Sequence, residues 1–184
     1  TNAIDGIEAS AAFEYKNGAI AENSYNVQTI NCLSSDDLIN WTDHGSIPVS
    51  GQNGAAKWAG FSWAPCAAHK TINGKEQFFL YFANNANGIG VLTSDSPTGP
   101  WKDPIGKPLI SRSSPNCNDV TWLFDPGVLV DDDGTGYLYF GGGVPTGQNA
   151  NPKTARAVKL GADMTSLAGT PVMSAPSPVI ENLP

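Results

Sequence analysis

Short apolar runs separated by turn residues recur along the whole chain. Residues 25–34 alternate loosely, with Val27, Ile30 and Leu33 apolar and Thr29 β-favouring, and read as a strand. Residues 35–41 form a turn leading to a short edge strand near Thr42, and 51–57 a loop. Residues 61–69 read as a strand interrupted by Pro65, which belongs at the strand's start or on a bulge because proline has no N–H for the ladder. Asn73-Gly74 is a hairpin signal. Residues 77–84 are apolar enough to be covered on both faces. A third strand over 88–94 follows, then a turn over 96–100, and Trp101 opens a fourth. The set recurs as strands over 125–130, 136–142, 155–160 and 170–173, with a turn at 132–134. Residues 1–24 are Ala-rich and show no strong period.

The recurrence has a fixed length. Pro65 is echoed by Pro126, 61 positions on, and Trp41 by Trp101, 60 positions on. Gly74 is echoed by Gly134 and Tyr81-Phe82 by Tyr139-Phe140 at nearly the same spacing. Units of four short antiparallel strands repeated at such a period describe propeller blades, and an ordinary β-sandwich is the competing architecture. The expected fold is all-β, part of a propeller. An incomplete first blade spans 1–58, a second 59–115, a third 116–175, and the start of another 176–184. A closed propeller needs at least about four blades, so the missing ones are expected upstream, downstream or on a second polypeptide.

Composition narrows the partners. The 184 residues carry a net charge of −7 and only 15% charged residues, which argues for a globular chain and against a nucleic-acid-binding face. The sequence has no run of about 18 apolar residues, so no membrane span is expected. Cys32, Cys66 and Cys117 are widely spaced and make no zinc motif. Asn40-Trp41-Thr42 is a glycosylation sequon of a kind that arises often by chance.

Asp125 leads the candidate residues. It stands before Pro126 at a strand start in an apolar setting, where a carboxylate needs either partners or a function. A bulge aspartate accepting backbone hydrogen bonds is the competing reading. Phe61 and Trp63 lie beside a proline at the place in the second unit that Asp125 holds in the third, and Trp122 and Phe124 form the apolar setting of Asp125; rings beside a carboxylate make a sugar-binding surface, with core packing as the alternative. Asp131-Asp132-Asp133-Gly134 lacks the alternating ligands and closing Glu of a calcium loop and reads as a hairpin. His69 ends a strand and His44 lies in a turn, and the two make no triad. Gly141-Gly142-Gly143 lacks the Lys-Ser/Thr of a phosphate loop. Glu181 places a second carboxylate after apolar residues, near the start of the next unit; a solvated terminal Glu is the alternative.

Residues 34–45, Ser62-Trp63-Ala64-Pro65, residues 88–93 with Gly99-Pro100-Trp101, and Phe124-Asp125-Pro126 with Val130-Asp131-Asp132-Asp133-Gly134 together resemble family 43 glycoside hydrolases, the arabinofuranosidase and β-xylosidase group. The resemblance implies a five-bladed propeller whose central pocket holds three carboxylates: a general base, a middle Asp of an Asp-Pro motif that tunes the acid's pKa and orients the sugar, and a Glu acid. Asp125 matches the middle one. Glu181 is a candidate for the acid, and a Glu beyond Pro184 is the other. Asp5 and Glu8 lack the proline and strand of the base, which is then expected upstream of Thr1. The implied reaction is inverting hydrolysis of arabinose- or xylose-containing polysaccharide, with Phe61, Trp63, Trp122 and Phe124 lining the sugar site. It requires no cofactor, leaves a structural calcium in the central channel open, and makes an extracellular location the expectation. A non-catalytic carbohydrate-binding propeller piece and a structural or interaction propeller are the rival readings.

Overall fold

The computed structural model describes residues 26–148 and 154–174, together with the backbone of 15–16 and 19–20. Every regular element among them is a β-strand. A short hairpin pairs β1 (Tyr15–Lys16) with β2 (Ala19–Ile20), in a stretch where the sequence shows no period. A second two-stranded sheet joins β3 (Thr29–Ser34) to β4 (Thr42–Pro48). Two four-stranded antiparallel sheets follow, each in sequential order. One contains β5 (Trp63–Ile72), β6 (Lys75–Ala83), β7 (Gly88–Ser94) and β8 (Ile110–Ser111). The other contains β9 (Gly127–Val130), β10 (Gly136–Phe140), β11 (Arg156–Lys159) and β12 (Val172–Met173). The fold is all-β, and the two four-stranded sheets have the layout of consecutive propeller blades.

The apolar run of β6 explains how the sheets stack. In a strand, successive side chains leave opposite faces. Phe79, Tyr81 and Ala83 enter one core with Ile89 and Val91 from β7 and Leu123, Leu138, Phe140 and Val158 from the third unit. Leu80 and Phe82 enter a second core with Leu92, with Ile30, Cys32 and Ile47 from the β3–β4 sheet, and with Val49 just past it. The β5–β8 sheet is therefore buried on both faces, which a sheet at the end of a stack is not.

Turn chemistry sets the connections. Asn73 and Gly74 have φ of 53° and 76°, the left-handed pair that a two-residue hairpin needs. The 131–134 turn closes through the Gly134 N–H donating to the Asp131 carbonyl (2.8 Å), while the Thr135 N–H donates to Asp133 Oδ1 (2.8 Å). Those aspartates build the β9–β10 hairpin. At 35–41, Asp37 Oδ1 accepts from the Ile39 and Asn40 amides (both 2.8 Å) and Oδ2 from Asn40 Nδ2 (2.7 Å), so the sequon asparagine is engaged. Bonds from Asn40 first and Ile39 second hold the Asp37 carboxyl well below its usual range.

One sequence reading resolves between its alternatives and two shift. Pro65 lies in a register break of the β5–β6 ladder between Trp63 and Cys66, the bulge alternative. The fourth strand of the second unit is split. Lys102 makes one bridge to Thr93, and regular pairing resumes only at β8, because Asp103 Oδ1 draws the Ile105 and Gly106 amides into a turn (3.0 and 2.8 Å). Pro104 and Pro108, without N–H groups, cannot rebuild a ladder there. His44 lies within β4, not in a turn, and shares a 2.7 Å hydrogen bond with Ser34 Oγ across the hairpin.

Candidate active site

Two arms carry the candidate residues, and they are copies of one another. Phe61-Ser62-Trp63-Ala64-Pro65 leads into the second sheet and Trp122-Leu123-Phe124-Asp125-Pro126 into the third. Both arms pair their rings edge to face: Phe61 with Trp63 at 5.5 Å between centroids, and Trp122 with Phe124 at 5.2 Å. The residue between the rings is fully buried in both, Ser62 in one and Leu123 in the other. Its amide reaches back to the preceding unit: Ser62 N–H to the Val27 carbonyl (2.8 Å), Leu123 N–H to the Ala86 carbonyl (2.9 Å).

The residues before proline share an unusual backbone. Ala64 has φ of 42° and Asp125 φ of 49°, both in the left-handed region that non-glycine residues rarely occupy. Each such residue stores on the order of 1–3 kcal/mol, a cost retained where the surroundings over-determine the geometry. The strand begins only at Gly127, so Asp125 precedes the sheet instead of opening it. Its carboxylate is exposed, not buried as its apolar neighbours in sequence suggest. Partial burial still desolvates it enough to raise its pKa.

The arm is held from both sides. Gly88 N–H donates to the Leu123 carbonyl (3.1 Å), Trp122 N–H to the Gly142 carbonyl (3.1 Å), and Gly141 N–H to the Phe124 carbonyl (2.9 Å). Just past the arm, the Val128 N–H donates to Cys66 Sγ (3.4 Å), which joins β9 to β5. That amide faces away from the β10 ladder, and the thiol supplies its acceptor. Sequence reasoning passes over Cys66 because its partner lies 62 residues away.

Phe61, Trp63 and Phe124 are partly buried, with Trp63 and Phe124 packed against the core between the second and third units. Trp122 is 47% exposed. Glu181 lies outside the described residues. His69 is bound to Glu76 (Nδ1–Oε1 2.8 Å) on the exposed surface. Trp101 packs against the core under β3 and β4, whereas Trp41 stays 45% exposed. A cleft of about 360 Å³ opens elsewhere, lined by Thr93, Asp95, Lys102 and Asp163. Its acids are already engaged: Asp95 with Lys75 (2.8 Å), and Asp163 with the Thr165 and Ser166 amides (both 3.0 Å). Among the described residues no group of three or more His, Cys, Asp or Glu side chains converges as a cation site.

The model of family 43 of the glycosyl hydrolases matches residues 16–182, nearly the whole chain. The chain belongs to that family. Among its relatives, the arabinoxylan arabinofuranohydrolase of Bacillus subtilis (strain 168) is 61% identical over 176 residues, covering 88% of this chain and 34% of the relative. The arabinoxylan arabinofuranohydrolase of Paenibacillus polymyxa is 60% identical over 166 residues, covering 84% and 26%. The crystal structure of a family 43 arabinoxylan arabinofuranohydrolase from Bacillus subtilis in complex with cellotetraose superposes with a TM-score of 0.85 at 58% identity, over 91% of this chain and 37% of that one. The structure of an α-L-arabinofuranosidase from Clostridium thermocellum gives a TM-score of 0.66 at 45% identity, over 83% of this chain and 47% of that one. The chain thus spans between about a quarter and a third of the length of the two curated relatives it matches at about 60% identity.

Proposed function

We propose that this chain contributes the second and third blades, over 59–115 and 116–175, to an inverting glycosidase that releases arabinofuranose side groups from arabinoxylan. The observation that carries the reading is Asp125: an exposed, pKa-raised carboxylate on a strained pre-proline turn, flanked by Trp122 and Phe124, in a family 43 chain. The names of the two relatives at about 60% identity favour arabinose over xylose as the released sugar.

In this reading a second carboxylic acid, Glu181 or a following Glu, protonates the leaving oxygen. A third carboxylate, from the part of the first blade upstream of Thr1, activates water on the opposite face of the sugar ring, about 6.5–9.5 Å from the acid as inversion requires. Asp125 stays ionised beside the acid. Like-charge repulsion raises the acid's pKa and keeps it protonated near neutral pH. Trp122 and Phe124, with Phe61 and Trp63 from the neighbouring arm, present apolar faces to the sugar. Acid, base and water complete the chemistry, with no cofactor, and a polymeric plant substrate places the enzyme outside the cell. The rest of the propeller comes from further polypeptide.

The test is hydrolysis of arabinoxylan by the complete enzyme, with released arabinose quantified and inversion followed by NMR of the first-formed anomer. Asp125→Asn is expected to lower kcat at least about 100-fold, the scale of lost acid–base assistance. Sugar binding with no turnover in the unsubstituted protein would instead establish a carbohydrate-binding propeller.

A further inference from the structure

We infer that Arg112 is a positioning residue for this reaction, a guanidinium clamp that fixes the arm carrying Asp125. The inference rests on the glycosidase reading of Asp125 given above.

Arg112 directly follows β8, the last strand of the second sheet. Its Nη1 donates to the Val120 carbonyl (2.8 Å). Its Nη2 donates to the carbonyls of Thr121 (3.1 Å) and Ala86 (3.2 Å), and its Nε to Asn87 Oδ1 (3.4 Å). Val120 and Thr121 open the arm that ends at Asp125, and Ala86 and Asn87 form the turn between β6 and β7. The clamp therefore joins two units at the point where they also touch directly, since the Ala86 carbonyl accepts from Leu123 N–H as well.

The arm needs such a clamp because it has no ladder of its own. Residues 121–126 lie outside the regular strands and are held by isolated bridges at Trp122 and Leu123. At their end sits a left-handed Asp125, a conformation the chain abandons once its neighbours loosen. Only a planar fork with five donors can serve three carbonyls and a side-chain amide together; a lysine ammonium is a point charge on a flexible stem. Desolvation alone accounts for the raised pKa of Asp125, so Arg112 reaches that carboxylate through the backbone and not through its charge.

The experiment measures kcat, KM and the pH profile of the complete enzyme on an aryl arabinofuranoside. It compares the unsubstituted protein with Arg112→Lys, Arg112→Ala, Asp125→Asn and the Arg112→Lys/Asp125→Asn double variant. Arg112→Lys is expected to lower kcat about 10-fold while KM changes less than about twofold, because a small misplacement of a catalytic group costs rate more than ground-state binding. The alkaline limb of kcat/KM should move to lower pH, since a displaced Asp125 no longer supports the protonated acid. Ethylguanidinium in solution should restore part of the rate of Arg112→Ala. In the Asp125→Asn background, Arg112→Lys should add less than about twofold, as expected of residues that act as one unit. The clamp is refuted if Arg112→Lys changes only thermal stability, or keeps its full effect without the Asp125 carboxylate. A fully active Asp125→Asn enzyme overturns the glycosidase reading itself, a result separate from an impaired Asp125→Asn with a silent Arg112→Lys.

Discussion

Asp125 combines two costs, a left-handed backbone and a partly desolvated carboxylate. Its folded pKa lies above the unfolded value, so the folded state holds its proton more tightly. Any stability this group contributes is present below the unfolded pKa and lost as pH rises through the folded one. At neutral pH the ionised carboxylate is therefore a net burden on folding. Asp125→Asn should leave the melting temperature at pH 7 equal to or above that of the parent, with the difference vanishing below about pH 4, the ordinary carboxylate range. Differential scanning calorimetry across that range checks the sign, and a melting temperature that falls at pH 7 contradicts it. The position of Asp125 was legible from sequence because its proline repeats that of the second unit. Its φ was not, because a non-glycine residue in the left-handed region leaves no mark in composition or periodicity. The roles of Cys66 and Arg112 were invisible for another reason: their partners are mostly backbone atoms of other segments.

At the scale of elements, the strands announced themselves through alternation and through the β6 run. Val128 and Val130 face the core between the second and third units, while Leu129 faces away, half exposed. What failed was the outer edge. The split fourth strand depends on Asp103, whose side chain caps a turn with Oδ1 and accepts the Trp58 indole N–H with Oδ2 (2.8 Å). An aspartate near two prolines does not reveal that double use. A severe packing constraint lies on β7. A Cβ added at Gly90 would come within 2.3 Å of the Phe82 ring directly across the ladder. Phe82 is fully buried, so neither side has room to yield. Gly90→Ala should destabilise the chain by about 1–3 kcal/mol, the usual penalty for overpacking, read from the denaturant midpoint at unchanged slope.

Taken whole, the molecule is a stack with one saturated sheet in the middle and an open face at one side. Leu129 and Tyr139 on the third sheet are 50% and 43% exposed, on the face opposite the one packed against the second sheet. Tyr137 lies directly across from Leu129 and shares that face. In a propeller such a face is covered by the next blade. The 184-residue chain by itself should self-associate through it, and Leu129→Lys with Tyr139→Lys should shift its elution in size-exclusion chromatography toward the monomer. The same pair in the complete enzyme should lower thermal stability instead. An unchanged elution would mean that this face is not what brings copies together. The duplicated arms carry one more consequence. Ala64 holds the same wrung backbone as Asp125 with no acid attached, so the contortion does not depend on a carboxylate being there. Two equivalent sockets thus exist and only one holds a carboxyl, so the other marks where a laboratory could place a second.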